Sequence, residues 1–138
     1  MKDPIAESAR WLEQAKRDLD AARTLYDNAH WWVVCFQSQQ AAEKAVKAFL
    51  YACGQRIVTG HSVAELVKVA TSINRAFEQL TAAAGQLDRY YIPTRYPNGL
   101  PGGIPADAYF EEDARQALSG ANFVLEFVES TVSELEGN

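Results

Sequence analysis

The sequence predicts an all-α protein, an up-and-down bundle of four long helices plus one short one. Apolar residues recur at three- and four-residue spacing over long segments. Helix start and stop residues punctuate those segments. No alternating apolar–polar run signals a strand, and no internal repeat is present. With 138 residues, 48% hydrophobic and 22% charged, residues 1–138 read as one soluble globular domain large enough to bury a core.

Asp3-Pro4 opens the first helix, a capping acid followed by Pro at the first helical position. Trp11, Ala15, Leu19, Ala22 and Tyr26 then recur on one face as far as about Asn28. Asn28-Ala29-His30 is a short link, which favours an antiparallel neighbour. The second helix, Trp31 to Cys53 with Gly54 closing it, organises the rest. Steps of 100° place Cys35, Ala42, Val46, Phe49, Leu50 and Cys53 on a core-facing stripe. Ala41, Ala45, Ala48 and Ala52 form a second stripe, small enough for close helix approach. Gln40, Lys44, Lys47 and Tyr51 fall on a polar side. Gln39 and Glu43 lie at the apolar edge, where a carboxylate is costly unless paired. Glu43 therefore either snorkels beside Lys47 or holds an Arg or His from elsewhere in the chain.

After a loop from Gln55 to His61, Ser62-Val63-Ala64-Glu65 reads as a capping box opening a short third helix that ends near Asn74. The fourth helix points Phe77, Leu80, Ala84 and Leu87 inward and reaches Tyr90-Tyr91. Four prolines and three glycines between Ile92 and Pro105 then exclude helix and central strand. The last helix begins near Glu111 with acids in its first turn, which suits the macrodipole. Its core side carries Ala114, Leu118, Ala121, Val124 or Leu125, Phe127 or Val128, and Val132.

Charge and cysteine usage narrow the function classes. Met1–Pro105 holds twelve Lys/Arg against ten Asp/Glu, and Ala106–Asn138 one Arg against eight acids. A chain of net charge −5 is a poor general binder of nucleic acid, though a local basic pocket and a basic partner for the acidic tail stay open. Cys35 and Cys53 on one helix stand roughly 27 Å apart, beyond disulfide reach. No metal site or cofactor is expected from them. No apolar run spans a membrane and MKDPIAES lacks a signal-peptide pattern, so the expected location is cytoplasmic.

The ordered motifs resemble the HEPN family of helical domains over nearly the whole length. They are W-x3-A-x2-D-L (Trp11, Ala15, Asp18, Leu19), C-F-x2-Q-Q-A-A-E-K-A-x-K-A (Cys35 to Ala48) and the Gly54 turn. His61-Ser62 before Leu66, L-D-x-x-Y-I-P-T-R-Y-P (Leu87 to Pro97) and Tyr109-Phe110 before Asp113-Ala114 complete the set. The resemblance implies a helical bundle, usually a homodimer, associated with nucleotides or RNA. It also implies a possible protein partner, since many members are encoded beside a minimal nucleotidyltransferase as toxin–antitoxin pairs.

Ribonucleases of that family resemble one another in an R-x4-6-H motif. An imidazole can move the 2′-hydroxyl proton while a guanidinium holds the phosphate. Arg56-x4-His61 fits the spacing, as does Arg23-x6-His30. Ile57 and Thr24 depart from the polar residue that commonly follows the Arg, and Val63 stands where the toxin-type motif has a Tyr. Pro93 and Pro97 hold Arg95-Tyr96 in fixed directions. Arg95 either caps a helix end or pairs with Glu43, or it joins Lys47 and His61 as a phosphate-binding set with Tyr91 or Tyr96 stacking on a base. Glu43 then orients Arg95 or His61. Trp31-Trp32 reads as core and dimer contact. Three functions compete: a dimeric nucleotide- or RNA-binding module, a metal-independent endoribonuclease using Arg56 and His61, and a structural interaction domain without ligand.

Overall fold

In a computed structural model, which describes residues 3–137, the first helix is opened by its expected cap. Asp3 accepts from the amides of Ile5 and Ala6, and α1 runs Pro4–Asp27. The second, α2, runs Trp31–Ala52. A short α3 follows at Val63–Ile73. The fourth helical segment is continuous but of two kinds, a 3-10 helix at Arg75–Leu80 leading into α4 at Thr81–Asp88. Asn74 ends α3 and its side chain caps the 3-10 turn through Ala76 N at 3.0 Å. After the proline-rich loop, a one-turn α5 at Pro105–Ala108 precedes α6 at Glu111–Glu136. The bundle is all-helical among the described residues. The one-turn α5 and a three-residue 3-10 turn at Pro97–Gly99, inside the stretch expected to hold no helix, are additions to the expected set, and each begins at a Pro, which the first helical position tolerates.

The long helices α1, α2 and α6 pack side by side with α2 between the others. Ala41, Ala45 and Ala48 of the small stripe are buried, as are Val46, Phe49 and Leu50 of the core stripe. Phe49 meets Phe77 at a ring separation of 4.2 Å, and Phe77 meets Phe127 edge-on at 5.0 Å, joining α2, the 3-10 segment and α6. Cys35 is buried and Cys53 exposed, and both are free thiols. Burial first, and the Asp113 charge second, push the Cys35 thiol up to about 12, so it behaves as a small apolar side chain.

Two helix ends share one geometry with different residues. His30 N donates to Leu25 O and Ala29 N to Tyr26 O, while Gln55 N donates to Leu50 O and Gly54 N to Tyr51 O. Both are Schellman closures that need a left-handed residue. Gly54 supplies it at φ 94°, but Ala29 is forced there at φ 62°. Ala29→Gly is therefore expected to raise stability by about 0.5–1 kcal/mol and Gly54→Ala to lower it by about 1 kcal/mol. Urea unfolding of the two variants checks the opposite signs.

Candidate functional site

The open side of α2 meets the loop before α3 and the turn after α4, and the candidate residues gather there. Glu43 is buried, its side chain 5% exposed. Its Oε2 lies 3.2 Å from Lys47 Nζ, and its Oε1 lies 3.5 Å from His61 Nδ1. Gln40 Nε2 donates to the same Oε1 at 3.4 Å. Glu43 thus does both things the sequence left open: it pairs with Lys47 along its own helix and it faces a His from elsewhere. A carboxylate behind the imidazole fixes the ring and favours a proton on the facing nitrogen. The other edge of the ring is open to ligand, since the His61 side chain is 64% exposed.

His61 is also held by its backbone. Gln39, fully buried, donates to His61 O at 2.8 Å and to Asp88 Oδ1 at 3.3 Å, and accepts from Gln40 at 2.8 Å. Asp88 is the residue that the sequence reading missed. Its carboxylate accepts from Ser62 Oγ at 2.7 Å, Val63 N at 2.8 Å and Ala64 N at 3.0 Å. It caps α3 from the far end of α4. The expected capping box is accordingly half formed. Ser62 Oγ accepts from Glu65 N at 3.1 Å, but Glu65 turns outward to Lys68 at 3.5 Å, while Asp88 serves the Val63 and Ala64 amides. One signal pointed to Asp88: an acid at a helix C-terminus opposes the macrodipole unless another partner compensates it.

Tyr91 extends the site from the turn after α4. Its ring stacks on His61 with centroids 5.4 Å apart and planes 15° from parallel. Arg95 does not pair with Glu43. Its Nε donates to Tyr91 O at 2.8 Å, a carbonyl of the turn beyond the end of α4 at Asp88, so neither expected partner, a helix end or Glu43, takes it. Its guanidinium lies 4.6 Å from the Phe36 ring centroid, 4.5 Å from Tyr91 and 5.1 Å from Tyr96. An Arg among rings keeps its charge with little desolvation cost and stays planar for a phosphate or a base. The loop carrying it is tight. A Cβ at Gly99 would stand 3.0 Å from Pro93 Cα, so a larger residue there would push the Pro97–Gly99 turn away from Pro93.

Lys47, His61, Tyr91, Arg95 and Tyr96 therefore form one neighbourhood with Glu43 beneath it. Arg56 does not join it. It is exposed and lines a cavity of about 630 Å³ with Asp3, Pro4, Glu7, Tyr51 and Gln55, and it makes no ion pair or hydrogen bond with His61. Phe36 and Gln39 complete the neighbourhood without having been assigned a site role from the sequence. Among the described residues no helix is long and apolar enough to cross a membrane.

Known proteins resemble this chain along most of its length. A protein of Methanocaldococcus jannaschii named "Putative toxin MJ1304" is 30% identical over 135 residues, covering 92% of this chain and 89% of its own. The crystal structure of TT1696 from Thermus thermophilus superposes with a TM-score of 0.84 at 40% identity, over 89% of this chain and 96% of that one. ST0689, described as an archaeal HEPN homologue, superposes with a TM-score of 0.76 at 33% identity, over 96% and 99%. The model of the HEPN domain matches residues 8–131, from the first turns of α1 to the last turns of α6, and the chain belongs to the HEPN family.

Proposed function

We propose that residues 1–138 act as a single cytoplasmic HEPN module of the toxin–antitoxin kind, dimeric, working beside a minimal nucleotidyltransferase and binding a nucleotide or RNA at the His61 face. The supporting observation is the imidazole of His61, backed by Glu43 and stacked on Tyr91, with Arg95 on the other contacts of that same tyrosine. Such a surface offers an imidazole N–H and a fixed guanidinium to phosphate, and an aromatic face to a base. The toxin-type relative supports the class of system. The alternative, an endoribonuclease built on Arg56 and His61, lacks a contact between the two residues, and incubation with RNA in EDTA is the assay for it.

His61→Ala tests the site. The Gln39 bond is to the His61 backbone and survives the substitution, while Glu43 keeps Lys47 and Gln40. The expected result is a melting temperature within about 3 °C of the parent and at least a tenfold loss of nucleotide or RNA affinity by titration calorimetry. A large drop in melting temperature assigns His61 a structural role instead.

Dimerisation has its own check. Ile57, Phe110 and Phe123 are exposed, and Trp31 and Trp32 are only half-buried at one end of α2. A two-fold interface is the commonest way to cover such surface. Light scattering at micromolar concentration is expected to give twice the 15.3 kDa chain mass, and a monomer mass refutes the dimer.

A further inference from the structure

Trp11 is left over from the site just described. Although it recurs with core-facing residues in the sequence, its indole is only partly buried. The ring stacks on Tyr51 at 5.4 Å and 26°, and Nε1 donates to Glu7 at 3.2 Å. In front of it opens a cavity of about 810 Å³ whose walls include Arg10, Arg17 and Lys44 together with Glu7 and Glu13. Lys47 links this cavity to the candidate site. Its Nζ lies 5.6 Å from the Trp11 ring centroid and 3.2 Å from Glu43, whose other oxygen faces His61 at 3.5 Å. Phe36, Gln40, Lys44 and Tyr51, four of the half-exposed residues of α2, lie along the helix between the two places.

We propose that this face takes a single-stranded oligonucleotide, with Trp11 and Tyr51 as a second base-stacking subsite apart from Tyr91 and Arg95. The inference rests on the nucleotide-binding reading above and extends it to a ligand class. A mononucleotide needs one stacking platform and one phosphate holder. Here two aromatic platforms stand on either side of Lys44 and Lys47, cations paired with Asp18 and Glu43, so more than one base can stack along the same face. Stacking on an indole needs an unstacked base, so the site favours a single strand over a duplex. Arg10 and Arg17 are free to follow a backbone. Their side chains are 74% and 76% exposed and pair with Glu7 and Glu13 on their own helix. Surface pairs of that kind are worth little and exchange readily for phosphate. The same acids keep the groove's net charge low, so stacking carries more of the affinity than counterion release. The salt dependence of binding is accordingly shallow.

The test compares a fluorescein-labelled ten-residue oligoadenylate RNA, followed by anisotropy, with AMP, followed by calorimetry. The parent protein is expected to bind the oligonucleotide at least tenfold more tightly than AMP, and unlabelled duplex RNA to compete poorly. Trp11→Leu and, separately, Arg17→Glu are expected to weaken oligonucleotide binding on the order of tenfold and to leave AMP binding unchanged. Arg17 is exposed, so its variant tests the groove even where Trp11→Leu disturbs folding. His61→Ala weakens both probes. If both groove variants bind the oligonucleotide like the parent while His61→Ala still weakens both probes, the second subsite is wrong and the nucleotide reading stands. If duplex competes as well as single strand, the ligand class is wrong. If neither probe binds, both readings fall together.

Discussion

Replacing Glu43 by Ala is expected to lower the unfolding free energy by about 3–5 kcal/mol, and adding Lys47→Met to return most of that loss. The pair lies one helical turn apart on α2, where an exposed Glu–Lys pair contributes only about 0.3–0.5 kcal/mol. Burial changes which figure applies. The two side chains are 5% and 6% exposed, so removing the carboxylate leaves an ammonium without its counter-charge in a place water barely reaches. The Trp11 ring near Lys47 Nζ softens the loss but does not replace an anion. Removing both charges leaves an apolar α2 face, which is why the double variant recovers. Chemical denaturation of the two variants measures the difference. A cost under about 1 kcal/mol for Glu43→Ala shows that water solvates the pair, and the orienting role of Glu43 then loses its basis. The substitution also separates stability from ligand binding. The double variant is expected to fold well yet bind ligand poorly, because His61 has lost the carboxylate behind it.

The helices were legible because each carries a periodic apolar face and a local signal at its start. The Asp3-Pro4 opening, the Ser62 hydroxyl cap and the Gly54 stop all act over two to four residues, and so does the projection that puts Glu43 at an apolar edge. That projection says that Glu43 needs a partner without saying which. His61 became the partner because the loop between α2 and α3 returns along α2, a fact of tertiary packing. The destination of Arg95 was equally hidden. Its choice between a carboxylate and a set of rings depends on Phe36, 59 positions away in the chain, standing beside Tyr91. Arg56 fitted a motif spacing, but spacing in a loop fixes no direction, and the chain turns Arg56 towards the start of α1. Asp88 was legible only as an anomaly, an acid at the wrong end of a helix.

Asp88→Ala is expected to lower stability by about 3 kcal/mol and to loosen the very segment that presents His61. Three donors at the start of α3, Ser62 Oγ, Val63 N and Ala64 N, and the buried Gln39 amide all end on this one carboxylate. Losing a helix cap alone costs about 0.5–2 kcal/mol. Leaving the buried Gln39 amide with a missing acceptor adds about 1–3 kcal/mol, reduced here because Asp88 is half-buried and water can take part of its place. Asp88→Asn retains one acceptor oxygen but turns an NH2 towards amide donors, so it should fall between Ala and the parent. Ser62→Ala removes only the bond to Glu65 N and one donor to Asp88, and is expected to cost about 1 kcal/mol. Hydrogen exchange localises the effect. The amides of Val63 and Ala64 should lose protection in Asp88→Ala beyond what the global destabilisation explains, while those in the middle of α6 should follow the global change alone. Ligand affinity is expected to fall with Asp88→Ala although Asp88 is turned to the α3 amides and touches no ligand, because the bond from Gln39 to the His61 carbonyl loses its anchor. If Asp88→Ala unfolds within about 1 kcal/mol of the parent and binds ligand equally well, the Gln39–His61 bond alone holds the loop, and Asp88 is a helix cap with no part in positioning the imidazole.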